Sequence, residues 1–125
     1  DVLVSTNAQG NKVLTGTLAS DGNGVTYYVN VNSFFCDITP KFHMLSLLTT
    51  IKECKPLNYL IIGTGLKLEG KTYKAFGTTV CQIGDAYLDA YVDLYMVNDV
   101  LMAKLTFKEK PEDTSMIIKV NMFFH

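Results

Sequence analysis

Arginine is missing altogether, and the eleven basic residues of the chain are all lysines. This removes the planar fork best suited to bidentate recognition of carboxylate and phosphate, so phosphoryl transfer and anion clamping fit poorly. It also suggests an AT-rich coding genome. The formal charge is only −1 and no dense basic run occurs, which leaves nothing to neutralise a nucleic-acid backbone. Long apolar runs are equally scarce. Runs such as those at 59–62 and 122–124 fall far short of the roughly 18 residues of a membrane span, so no membrane insertion is expected. The opening residues lack the basic head and apolar centre of a secretory signal.

Ligand-bearing residues are few. Of the three cysteines, Cys36, Cys54 and Cys81, no two form a CxxC pair, and at least one thiol has no partner within the chain. They read as small buried apolar residues. Only two histidines occur, so a two-histidine metal site would need the last residue, His125, beside His43. Cys36 and His43 could meet in space as a nucleophilic pair, but neither sits in a recognisable motif. Gly63, Thr64 and Gly65 lack the third glycine and the Lys-Ser/Thr pair of a phosphate loop and read as a turn. The sequence therefore predicts no catalytic set, no metal and no cofactor.

What is present is alternation. A length of 125 residues with 48% apolar content suits a single domain over 1–125. Val25, Tyr27, Val29 and Val31 share one face of a strand, and Thr26, Tyr28, Asn30 and Asn32 the other. Residues 12–18 precede it across a Gly/Asn/Asp loop at 20–24, and the two runs read as a hairpin. Further strands are expected at 57–62, 66–69, 72–76 and 78–83, with turns at Gly70-Lys71 and Gly77. Asn98-Asp99 suits a two-residue turn before a strand at 100–107. A polar loop at 108–115 leads to a closing strand at 116–124, apolar enough to require burial in a sheet or against another subunit. Close turn spacing predicts an all-β, antiparallel β-sandwich with at most one short helix near 40–54.

Residues 40–54 fit two readings. Thr39-Pro40 suits a helix start, and Phe42, Leu45, Leu48, Ile51 and Cys54 recur every third residue. Yet His43, Leu45, Leu47, Thr49 and Ile51 alternate, and β-branched residues 49–51 favour extended chain.

The candidate site is the segment 86–96. Tyr87, Asp89, Tyr91, Asp93 and Tyr95 alternate with Ala86, Leu88, Ala90, Val92, Leu94 and Met96. A uniformly apolar second face identifies a strand, since a helix would scatter it around its circumference. Asp89 and Asp93 then stand about 14 Å apart, too far for a glycosidase pair or one shared calcium ion. Tyrosine offers a flat apolar ring with a polar tip, and aspartate accepts from hydroxyls, a combination suited to sugars or protein side chains. The same residues also serve as an ordinary wet sheet face or a subunit contact.

The hairpin over 12–32, the junction Asp37-Ile38-Thr39-Pro40 after a strand, and the apolar run 116–124 together resemble the head or tip domains of viral and bacteriophage fibres. Those are jelly-roll-like antiparallel sandwiches, usually trimers, that bind host-surface glycans or proteins. The resemblance implies a non-enzymatic receptor-binding domain at the virion surface, a homotrimer, and a stalk upstream in a longer chain. Receptor contacts are expected at Tyr87, Asp89, Tyr91, Asp93 and Tyr95. A structural component of the particle or tail, or a small ligand-binding β-barrel, are the alternatives.

Overall fold

The computed structural model describes residues 2–16, 19–20, 26–29, 33–54, 58–83, 85–109 and 114–125. Among the described residues there are eleven strands and no helix. They are β1 (Val2–Thr6), β2 (Lys12–Gly16), β3 (Ala19–Ser20), β4 (Thr26–Val29), β5 (Ser33–Thr39), β6 (Phe42–Cys54), β7 (Tyr59–Lys67), β8 (Ala75–Ile83), β9 (Ala86–Val97), β10 (Val100–Phe107) and β11 (Thr114–Phe124). They pair antiparallel in the order β1-β2-β5-β6-β11-β8-β9-β10-β7. β4 pairs the later half of β6 and carries β3 on its other side. The two ends of the path, β1 and β7, approach each other, so the antiparallel sheet curls nearly closed around one core.

Period-two alternation builds that core. In the β6–β11 ladder His43, Leu45, Leu47, Thr49 and Ile51 point inward, and their partners Phe124, Met122, Val120, Ile118 and Met116 are also buried. Ala90, Val92 and Leu94 of β9 and Leu101, Ala103 and Leu105 of β10 close the opposite wall. Buried Tyr27 of β4 crosses between the walls, its hydroxyl accepting a hydrogen bond from the Gly63 amide of β7 at 3.2 Å.

Residues 42–54 are strand, not helix. Alternation prevails over the three-residue spacing because each inward residue of β6 gains a buried cross-strand partner on β11. Pro40 and Lys41 form the turn from β5, with the Lys41 amide donating to Thr39 Oγ1. The expected hairpin is rearranged. β4 pairs the two-residue β3, whereas β2 lies between β1 and β5; the loop at 21–25 falls outside the described residues. The strand β1 and the turn at 8–10 that leads to β2 are additions to the sequence reading.

Two glycine signals proved to lie inside strands. Gly77 is within β8, where a Cβ would sit 3.1 Å from Met122 Cε, so the missing side chain admits the methionine between β8 and β11. Gly63 to Gly65 lie within β7 as a bulge: four steps on β7 match two on β10, between Val100↔Lys67 and Met102↔Gly63. Gly65 takes φ +76° there. Thr64 secures the bulge, its Oγ1 donating to the Leu101 carbonyl at 2.7 Å and accepting from the Leu66 amide at 3.2 Å. By contrast Asn98 and Asp99, with φ 49° and 65°, form the expected two-residue turn.

Thr49 and Thr64 are both fully buried, yet among the described residues Thr64 Oγ1 has hydrogen-bond partners and Thr49 Oγ1 has none. Valine substitution should therefore act with opposite sign. Thr64→Val is expected to lower unfolding free energy by about 1–3 kcal/mol, and Thr49→Val to raise it by about 1 kcal/mol. Urea unfolding of both variants checks the contrast.

Candidate functional site

The expected binding strand is β9, a continuous strand between β8 and β10. Ala90, Val92 and Leu94 turn into the core, and this leaves Tyr87, Asp89, Tyr91, Asp93 and Tyr95 on the outer face. Exposure falls along the row. Tyr87 is 68% exposed and Tyr91 38%, whereas Asp93 and Tyr95 are half-buried. Burial, and secondarily the Asp93 carboxylate, push the Tyr95 phenol above its ordinary value.

Flanking strands complete the surface. On β8, Gln82, Val80, Thr78 and Phe76 stand opposite Tyr87, Asp89, Tyr91 and Asp93. The Phe76 ring stacks on Tyr91 at 5.6 Å between centroids, with Phe76 itself 65% exposed. On β10, Met102, Lys104 and Thr106 oppose Tyr95, Asp93 and Tyr91. Just past β10, Lys108 places its Nζ 4.9 Å from the Tyr91 ring centroid and 4.0 Å from Asp89 Oδ2.

These residues enclose a shallow groove of about 160 Å³ at the start of β9, lined by Tyr87, Leu88, Asp89, Lys108 and Glu109. The fold thus brings two of the five ladder residues, Tyr87 and Asp89, into one concave site. Tyr91 borders it through Lys108, while Asp93 and Tyr95 lie farther along the strand. Lys108 and Glu109 were not among the sequence candidates because they appeared as part of a polar loop. Their signal lay in the hairpin register: counting back from the Asn98-Asp99 turn places Lys108 beside Asp89, and the Lys108 amide indeed points to the Asp89 carbonyl at 3.4 Å.

The two histidines do not meet. His43 faces the core, whereas His125 packs on Phe42 beside the outward-facing Phe123. Cys36 and His43 are separated as well. Cys36 stands opposite Met44, and it is Asp37 that stands opposite His43 and pairs with its Nδ1. His43 lies 3% exposed among Phe35, Tyr73 and Phe124, with ring centroids 5.9, 4.6 and 5.5 Å away. This cluster seals one end of the core. Cys81 is buried and Cys36 half-buried, in keeping with packing roles; the side chain of Cys54 lies outside the described residues.

No family model matches the sequence, and no curated protein matches it. Among solved structures, the chain is similar to the carboxy-terminal domain of the turkey type 3 siadenovirus fibre, avirulent form, complexed with 3-sialyllactose. The similarity covers 99% of this chain and 96% of the other, at 13% identity and a TM-score of 0.37.

The sealed end of the core should be sensitive to alkali. Burial, and then the Asp37 carboxylate, raise the Tyr73 phenol above its ordinary value of 10.0. Above pH 10 the unfolded chain would release this proton before the folded chain does. The stability linked to Tyr73 is thus complete below that pH and lost as pH climbs through the folded-state value. Tyr73→Phe should flatten the decline of Tm above pH 10, as thermal melts across that range would reveal.

Proposed function

We propose that the chain is a non-enzymatic attachment domain, displayed at a virion surface, that holds a host-cell glycan or protein on the outer face of β9. The observation that carries this reading is the groove of Tyr87, Leu88, Asp89, Lys108 and Glu109. It sets an exposed aromatic plane and one carboxylate on β9 beside a second carboxylate and a donor just past the end of β10, on a sheet whose other face is locked into the core. The β9 side of the groove, on a paired strand, is held more rigidly than a loop would hold it, and a tyrosine loses little side-chain freedom on binding. The function assigned to Tyr87, Asp89 and Tyr91 is contact with the receptor; Asp93 and Tyr95, farther along the strand, extend the contact only for a ligand longer than the groove.

The reading includes a homotrimer. Phe76, Val80, Ile117 and Phe123 leave 65%, 43%, 37% and 56% of their surface exposed on the outer side of β8 and β11. Exposed aromatics and aliphatics gathered on adjacent strands suit a contact between copies better than open solvent. The particle-assembly alternative would bury the same strands together with β9.

Tyr87→Ala tests the attachment site. Binding of the labelled chain to susceptible cells should fall at least about tenfold while stability changes by no more than about 0.5 kcal/mol, as is usual for an exposed position. Unchanged binding would remove the groove from the proposal. Light scattering at several concentrations under reducing conditions tests assembly: a trimeric mass is expected, and a monomer throughout would overturn it.

A further inference from the structure

Resting on the attachment reading, the charges around the groove narrow the ligand class. Asp89 and Glu109 contribute two carboxylates and Lys108 one ammonium. The ammonium is already engaged, 4.0 Å from Asp89 Oδ2 and over the Tyr91 ring. Since the chain contains no arginine, no guanidinium fork can grip a carboxylate or sulfate anywhere on this face. An acidic sugar entering here would meet a net negative wall.

The same groups suit an uncharged sugar. Two carboxylates can accept hydrogen bonds from neighbouring hydroxyls, which a neutral pyranose ring supplies in pairs. Tyr87, exposed over 68% of its surface, offers its ring to the C–H face of the sugar, and half-buried Leu88 extends the apolar support. Lys108 has remaining N–H groups to donate to a ring or hydroxyl oxygen. We infer that the groove of Tyr87, Leu88, Asp89, Lys108 and Glu109 binds a neutral hexose or N-acetylhexosamine unit and discriminates against carboxylate-bearing or sulfated sugars.

Lactose and 3-sialyllactose make the direct comparison, because they share a neutral core and differ by one acidic sugar. Titration of the full chain with each, and with methyl mannoside and N-acetylglucosamine, can be followed by saturation-transfer and amide-shift NMR. At least one neutral sugar should bind with one ring face against Tyr87, and Tyr87→Ala should abolish that contact. The repulsion of like charges in a wet groove should make 3-sialyllactose weaker than lactose by about three- to tenfold at low salt. The gap should shrink as salt rises and again in Glu109→Gln, which lies exposed and outside the core.

Tighter binding of 3-sialyllactose than of every neutral sugar, with its contacts at Tyr87, would overturn the inference and leave the attachment reading intact. Cell binding that persists and depends on Tyr87, with no sugar bound, would overturn it in favour of a protein receptor. Loss of both sugar and cell binding would defeat the inference and the attachment reading together.

Discussion

The ladder between β6 and β11 is the constraint on which the rest of the sheet depends. Its register runs from Thr114↔Cys54 to Phe124↔His43, and from Met116↔Ile51 onward each inward position of one strand meets a buried position of the other. A slip of β6 by one residue would send Leu45, Leu47 and Ile51 outward, and a slip of β11 would bring Lys119 and Asn121 into the core. Register here is therefore fixed by burial more than by the backbone hydrogen bonds, which a slipped pairing could also form. On the outer side the same register brings Ser46 Oγ within 2.8 Å of Asn121 Oδ1. Once β6 is fixed, its two halves recruit β5 and β4, and β11 recruits β8.

From that spine the alternation passes strand by strand to the candidate site. Among the described residues β8 aligns on β11 through three residue pairs, Ile117↔Gln82 to Lys119↔Val80, and Met122 farther along β11 enters the space at Gly77. β9 follows β8 along nine paired positions, and this long pairing holds the outer row of Tyr87 to Tyr95 flat against Phe76 and Val80. The inner face of β9 supplies burial energy while its outer face is left to interact. Two Lys–Tyr contacts among the described residues, Lys108 over Tyr91 and Lys104 over Tyr59, place positive charge against aromatic faces on the same wall. Much of the positive charge there is thus bound internally, and the groove is left acidic.

The legible parts of the sequence were those in which local and tertiary preferences agree. Residues 86–96 alternate cleanly, 100–107 and 116–124 are apolar enough for strand, and Asn98-Asp99 is a turn whose residues tolerate positive φ, so strand type in all three, and the two faces of 86–96, could be read directly. At 40–54 two periodicities coexisted, and only the partner strand β11 decides between them. The glycines misled for a physical reason. Gly63, Gly65 and Gly77 mark a bulge and a close side-chain approach, features that depend on β10 and Met122 and have no local signature distinct from a turn. At the site, the ladder was visible as a pattern, whereas its gradient of exposure and the arrival of Lys108 and Glu109 required the hairpin register and the curvature of the sheet.

The place of β11 in the sheet bears on how the chain is made. It is the last of the eleven strands to leave the ribosome, yet it belongs between β6 and β8, which are synthesised well before it. Until it arrives, both of those strands present open backbone edges flanked by apolar side chains, the condition under which neighbouring chains pair with one another. Closing the sheet then requires contacts far apart in sequence, which makes folding slow relative to local hairpin formation. Nascent copies emerging side by side on one message would pass through this unclosed stage together, with open edges facing open edges.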